Sequence, residues 1–399
     1  MNNSASEPTS AILGSPGTLS ADERQRYARH LSLTEIGEAG QAQLRAARVL
    51  VVGAGGLGCP AALYLAAAGV GTIGLVDFDR VEESNLQRQV LFTSEDIGEL
   101  KALRACTRLA ALNPQVQLIA HPVELCAANV REIFAPYDLI VDGSDRIGTR
   151  YLVNDACVLF GKPLISAAIH RFEGQAMSYV PGRGPCYRCL FPEIAEGTLP
   201  SCAQAGVLGV LPGVLGSLQA TEAIKLLLGI GTPLLGRVLV YDALSMRFDE
   251  FRIARRAECA VCGDHPSIHA PQDPPGFCTI EEQRRVPRIL PTELARSLAR
   301  EPAGVRLIDV REPDEFARGH LPGAINVPLP RIEQQGFALP AEGSASVERA
   351  AERLVFICRS GARSLRACAL ARRGTGREVL QLEGGLLAWR EAVDPTLAL

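Results

Sequence analysis

The sequence predicts a two-part α/β protein: a large, mostly parallel sheet with helices on both faces, then a smaller α/β domain. Three observations predict it. From Arg48 to Val180, short apolar runs suited to strands alternate with longer stretches of helical spacing. From Gly263 to Pro287 the periodicity gives way to a segment rich in Pro, Asp and Gly, which reads as a linker. Beyond it the alternation resumes for roughly 110 residues, enough for a small independent domain.

In the first part the strand-like runs are Val49–Val52, Thr72–Val76, Leu139–Val141 and Leu164–Ala167, with helices near Leu57–Ala68, Leu100–Leu112 and Thr149–Phe160. A long apolar helix over Val214–Leu228 and strands near Val238–Tyr241 and Arg247–Arg252 complete this part. Upstream, Ser20-Ala21-Asp22-Glu23 has the form of a capping box that opens a helix. On such a helix Arg26 and Arg29 fall three apart, hence on one face. In the second part, strands Arg306–Val310, Val355–Cys358 and Val379–Leu382 accompany a helix over Ser364–Arg373. The polar stretch Ala341–Ala351 reads as a surface excursion. The expected boundaries are a disordered leader at 1–20, a first domain at 21–265, a linker at 266–286 and a second domain at 287–392.

Composition narrows the class. With 47% hydrophobic and 21% charged residues the chain reads as globular and soluble. A net charge of −3 argues against a surface that coats nucleic acid. No apolar run reaches the ~18 to 20 residues of a membrane span, and the N-terminus lacks the basic and apolar regions of a signal peptide. A cytoplasmic protein is expected, so its 12 cysteines read as metal ligands, catalysts or small buried hydrophobes rather than disulfides.

Gly53-Ala54-Gly55-Gly56-Leu57-Gly58 follows a strand and opens a helix. Glycines there let the backbone approach phosphates, and the helix start supplies N–H donors and a positive dipole. Asp77 stands at the end of the next strand, where a carboxylate can bind ribose hydroxyls. This loop alone favours a Rossmann-like nicotinamide-nucleotide domain. The residues that follow shift the choice. Asn85-Leu86-Gln87-Arg88-Gln89, Lys101 at a helix start and Asp142-Gly143-Ser144-Asp145 at a strand end set two cations and a carboxylate near the phosphate loop. That set suits a triphosphate with Mg²⁺ better than a nicotinamide.

Two C-x-x-C pairs, Cys186 with Cys189 and Cys259 with Cys262, border the end of this part. Four thiolates make a closed tetrahedral Zn²⁺ site, which braces structure and leaves no position for substrate; a redox C-x-x-C is the alternative. Cys59, Cys106, Cys126, Cys157 and Cys368 lie in Ala/Leu-rich stretches and read as buried hydrophobes. Cys202 sits in Leu199-Pro200-Ser201-Cys202-Ala203-Gln204-Ala205-Gly206, between the first pair and the long helix. Cys358 lies where a strand runs into a short loop and a helix, in Cys358-Arg359-Ser360-Gly361-Ala362-Arg363-Ser364. Successive backbone N–H groups and a helix dipole there stabilise a thiolate or persulfide.

Arg26-Tyr27-Ala28-Arg29, the glycine loop, Val76-Asp77-Phe78-Asp79, Asn85–Gln89, Lys101, Asp142–Asp145 and the two C-x-x-C pairs occur in order. Together they resemble the adenylyltransferases of molybdopterin and thiamine biosynthesis, relatives of ubiquitin-activating enzymes. The resemblance implies that Asp77, Asn85, Arg88 and Lys101 hold ATP. It implies that Asp145 binds Mg²⁺ and that Arg29 reaches the phosphates from the partner subunit of a homodimer. The sequence departs at Arg146, where the family more often has Asn. The family cysteine matching Cys202 attacks the acyl adenylate or resolves an acyl disulfide.

Leu307-Ile308-Asp309-Val310-Arg311-Glu312, Gly319-His320-Leu321-Pro322-Gly323-Ala324, the Cys358 loop and Gly384-Gly385-Leu386-Leu387-Ala388-Trp389 resemble single-domain rhodanese sulfurtransferases. Phosphatase relatives of that fold have one more residue between cysteine and arginine, so the spacing here fits sulfur. The fusion implies adenylylation of a ubiquitin-like sulfur carrier ending in Gly-Gly, then sulfur transfer from a Cys358 persulfide. The persulfide sulfur would come from a cysteine desulfurase or thiosulfate. The alternative is an adenylyltransferase alone, with the second domain as a docking module.

Overall fold

The strands of the first unit, β1 (Arg48–Val52), β2 (Thr72–Val76) and β4 (Leu139–Asp142), are built from Val, Leu and Ile and are buried along almost their whole length. Strands covered on both faces must be. The computed structural model describes residues 18–192, 206–274, 280–339 and 353–399. The chain divides into two units, Met1–Asp273 and Pro274–Leu399.

With β3 (Gln117–His121), β5 (Leu164–His170), β6 (Glu173–Tyr179), β7 (Arg237–Asp242) and β8 (Arg247–Arg252), these strands form an eight-stranded sheet in the order β3-β2-β1-β4-β5-β6-β7-β8. The strands from β3 through β5 pair in parallel; β6, β7 and β8 extend the sheet antiparallel. Side chains alternate across β1. Val49 and Val51 join the core under the helices Gly58–Ala67, Lys101–Leu112 and Leu211–Leu228, while Leu50 and Val52 join the core under Ile147–Phe160. The topology runs outward from β1 in both directions, so a crevice opens at the carboxyl ends of β1 and β4.

The expected elements form with bounds shifted by at most three residues, β2 and β8 as expected, and several were not foreseen. β6, with the sequence Glu-Gly-Gln-Ala-Met-Ser-Tyr, carries too many polar residues to read as a strand. Pairing with β5 on one side and β7 on the other makes it one. The expected continuous helix through Arg26 and Arg29 is corrected: it breaks at Tyr27, giving Ala21–Arg26 and Ala28–Leu31. Tyr27 is buried, and its hydroxyl accepts from Asn113 Nδ2 at 2.8 Å. That tertiary hold outweighs helical continuity. The capping box at Ser20 and Glu23 is present.

The linker also ends sooner than expected. Helix Ile280–Arg284 belongs to the second unit, where Glu282 pairs with Arg373 at 2.8 Å. The second sheet is wholly parallel, in the order β11-β10-β12-β13-β9, with β9 Arg288–Ile289, β10 Val305–Asp309, β11 Ile325–Asn326, β12 Arg353–Ile357 and β13 Glu378–Leu382. Along β12, Leu354 and Phe356 face the core shared with helix Ala362–Ala371, and Val355 and Ile357 face the core shared with helix Gly385–Ala392. The strand therefore ends at Cys358 in the middle of a sheet buried on both sides. The Ala341–Ala351 stretch lies outside the described residues.

Candidate functional site

The crevice at the ends of β1, β2 and β4 holds a cavity of about 270 Å³. Gly53, Gly55 and Gly56, Asp77, Asn85, Arg88, Lys101, Asp145 and Arg146 all line it. Gly58 starts the helix behind the loop, and a Cβ there would collide with the Gly53 carbonyl oxygen. Only glycine lets the loop close this tightly against the helix.

Asp77 organises the floor. Its carboxylate accepts from the backbone N–H of Ala54 and of Asp79, both at 2.8 Å. Burial pushes its carboxyl up to about 6, with the Lys101 cation pulling it down and Asp79 pushing it further up. Lys101 is nearly buried and stands 3.3 Å from Asp79 Oδ2. Arg88 donates to the Ser84 carbonyl at 3.1 Å, so its charge has no carboxylate to match it in that contact. Asp145 is exposed at the rim.

Gln89, from the Asn85–Gln89 motif, also lines the cavity, together with residues not foreseen: Glu124, Thr149 and Arg150. Arg150 grips the Ser144 carbonyl with two donors, at 3.1 and 3.0 Å, and so fixes the Ser144–Arg146 turn. The helical spacing of Arg146 and Arg150 was the available signal. Gln89 Oε1, on a residue lining the cavity, is buried without a protein partner among the described residues, an acceptor open to a ligand's donor. A cavity walled by glycine amides and cations suits a polar, anionic ligand. Arg29 is exposed and is not among the cavity's lining residues.

Cys186, Cys189, Cys259 and Cys262 come together, with all four sulfurs within 4.8 Å of one another. Cys186 Sγ and Cys259 Sγ are 3.6 Å apart, and Cys189 Sγ and Cys262 Sγ 3.4 Å. The edge of a tetrahedron with 2.3 Å Zn–S bonds is about 3.8 Å. Crowding of the thiols pulls their acidities apart: the hydrogen bond with Cys262 and burial push Cys186 far up, while the same contact holds Cys262 down. A divalent cation at the centre removes that conflict.

Cys358 is buried at the end of β12, and its Sγ accepts from the backbone N–H of Gly361 at 3.2 Å and of Ser364 at 3.3 Å. The loop is braced from behind. The N–H groups of Leu386 and Leu387 donate to the carbonyls of Cys358 and Arg359 at 2.9 and 3.0 Å. A Cβ on Gly385 would collide with the Cys358 carbonyl oxygen, which accounts for the Gly384-Gly385 pair. Arg363 is tied to Glu315, and Arg359 is exposed. Amides aimed at one sulfur form an anion nest. Of the cysteines expected to be buried hydrophobes, Cys59, Cys126, Cys157 and Cys368 are buried and Cys106 is partly so. Cys202 and Cys278 lie outside the described residues.

This fold and these sites place the chain in a known class. It belongs to the ThiF family, which matches residues 27–261, and a rhodanese-like domain matches residues 290–392. Over 405 residues it is 42% identical to the probable adenylyltransferase/sulfurtransferase MoeZ of Mycobacterium tuberculosis, covering 98% of this chain and 97% of that one. It is 55% identical over 263 residues to the sulfur carrier protein adenylyltransferase of Thermus thermophilus, covering 64% of this chain and 97% of that one. Among solved structures it resembles E. coli MccB with MccA-N7isoASN, at a TM-score of 0.54 and 25% identity, covering 60% of this chain and 74% of that one. No helix among the described residues is long and apolar enough to cross a membrane.

Proposed function

We propose that this enzyme adenylylates the C-terminal glycine of a ubiquitin-like sulfur-carrier protein and then converts it to a thiocarboxylate with sulfur carried on Cys358. The observation that carries the reading is the coexistence on one chain of the anion-binding cavity at β1 and the amide-cradled Cys358. The nearly full-length likeness to MoeZ, named an adenylyltransferase/sulfurtransferase, supports it.

In this reading ATP lies along the cavity. The amides of Gly53, Gly55, Gly56 and the Gly58 helix start receive phosphate, Asp77 takes the ribose, and Asn85, Arg88 and Lys101 gather the phosphates. Arg29 comes from the partner subunit of a homodimer. Asp145 would hold Mg²⁺, which would spread the phosphate charge. The carrier carboxylate attacks the α-phosphorus, forming the acyl–phosphate bond as pyrophosphate leaves. The side chains contribute position and charge rather than covalent chemistry. Zn²⁺ held by Cys186, Cys189, Cys259 and Cys262 supplies a brace and no chemistry.

Cys358 receives its outer sulfur from a cysteine desulfurase, or from thiosulfate with release of sulfite. The terminal sulfur of the persulfide attacks the carrier's acyl carbon and AMP departs, leaving an acyl disulfide on Cys358. A thiol, from Cys202 or an external reductant, attacks the Cys358 sulfur. The carrier thiocarboxylate leaves, and the new disulfide needs a two-electron reductant before the next cycle. Such chemistry belongs to the cytoplasm, where thiols are kept reduced.

A second reading keeps only the adenylyltransferase and makes the rhodanese domain a docking module. The Thermus thermophilus relative, named a sulfur carrier protein adenylyltransferase, matches only 64% of this chain, which motivates testing the second domain separately. The variant Cys358→Ala separates the two. The main reading expects it to abolish thiocarboxylate formation and leave carrier-dependent ATP–pyrophosphate exchange intact. Undiminished thiocarboxylate would support the docking module; loss of both activities would show that the two sites are not separable.

A further inference from the structure

One end of the nucleotide cavity is built by three side chains that the phosphate and metal contacts above do not use. The guanidinium carbon of Arg146 lies 4.9 Å from the centroid of the Phe78 ring. Its Nη1 donates to Glu124 Oε1 at 3.0 Å. All three residues line the cavity, yet they come from three different strand ends: Phe78 follows β2, Glu124 follows β3 and Arg146 follows β4. The Glu124 side chain is 10% exposed and that of Arg146 is 50% exposed. The carboxylate thus sits in the wall and the guanidinium at the mouth.

A guanidinium has N–H donors around its edge and two flat faces. Here Glu124 takes part of the edge and offsets the charge, and the guanidinium carbon sits over the Phe78 ring. Half of the Arg146 side chain stays exposed at the mouth, where a ligand can meet its flat surface. Glu124 offsets the Arg146 charge, whereas Arg88 and Arg150 bond backbone carbonyls. Position agrees. With phosphates at the end of β1 and ribose on Asp77 at the end of β2, the base lies about one strand spacing further out, roughly 4.8 Å, toward β3. That is where Phe78 and Glu124 stand.

We propose that Arg146, anchored by Phe78 and Glu124, is the stacking platform for the base of the bound nucleotide. The inference rests on the nucleotide reading of the cavity. Its test compares two ligands of the full-length protein with Mg²⁺ present: ATP, which has a base, and inorganic triphosphate, which has none. Stacking of a base on a flat side chain is worth about a factor of ten or more on removal to alanine. Arg146→Ala should therefore weaken ATP binding about tenfold and leave inorganic triphosphate within about twofold. Arg146→Lys should not restore ATP binding, because an ammonium has no flat face. Glu124→Gln, which removes the anchoring charge, should weaken ATP several-fold in the same pattern.

Equal losses for both ligands would make Arg146 a phosphate arm and overturn the proposal, as would unchanged ATP binding in Arg146→Ala. A wild-type chain that binds neither ligand would remove the nucleotide reading, and the platform with it. A wild-type chain that binds both, with no base-dependent loss in the variants, would remove the platform alone.

Discussion

Asp77 carries two demands that pull against each other. Burial raises its carboxyl to about 6, well above an ordinary aspartate, because the cavity floor offers little water to the charge. Two backbone N–H groups and Lys101 nevertheless favour the ionised form. The sign for stability follows directly. Between the unperturbed value near 4 and about 6 the folded chain binds more protons than the unfolded one, so stability falls as pH rises through that window and is level above it. Nucleotide binding should move the opposite way, since only the carboxylate accepts from both ribose hydroxyls. ATP affinity measured from one pH unit below that value to one above should rise with a midpoint near it. Asp77→Asn should bind more weakly at neutral pH and show no such midpoint. A wild-type profile without inflection would contradict this role for Asp77.

Among the elements, the end of β10 shows how the second sheet is locked. Asp309 and Arg311 are both essentially buried, and Arg311 Nε and Nη2 bind the carboxylate at 2.8 to 3.1 Å while Nη2 also reaches the Gly319 carbonyl. Asn326 on β11 donates to the carbonyls of Asp309 and Arg311, which ties the edge strand to the same corner. Removing one partner of a buried pair strands the other charge, at about 3 to 5 kcal/mol. Arg311→Ala should lower the unfolding free energy of this unit by that order in denaturant titration. An apolar pair of similar volume, Asp309→Leu with Arg311→Met, should recover most of it. Equal losses in the single and double variants would show that packing, not the stranded charge, is the cause.

Much of this was legible in the sequence wherever one physical pattern dominates. The apolar runs of β1, β2 and β4, the glycine loop and the two C-x-x-C pairs each announce local geometry. Helix Ile280–Arg284 was hidden because its neighbours are turn-formers, and β6 because only its partners make it a strand. The break at Tyr27 depends on Asn113, distant in the chain. The Arg146–Glu124 contact was hidden for the same reason: strand order, not spacing, brings the ends of β3 and β4 to one cavity.

Across the whole molecule the two units answer different needs. The first activates a carboxylate, which is a poor acyl donor until adenylylated. In the proposed reading the second carries sulfur on Cys358, whose Sγ accepts from the Gly361 and Ser364 amides. Neither step alone yields a thiocarboxylate, so the central claim concerns transfer between them. The most direct measurement loads Cys358 with isotopically labelled persulfide sulfur, removes the donor, adds a Gly-Gly-ending carrier with or without ATP, then reduces with excess thiol and follows the label by mass spectrometry. The label should end on the carrier's C-terminus, one oxygen exchanged for sulfur, only when ATP was present. A carrier left unlabelled with ATP, or labelled without it, would contradict the account.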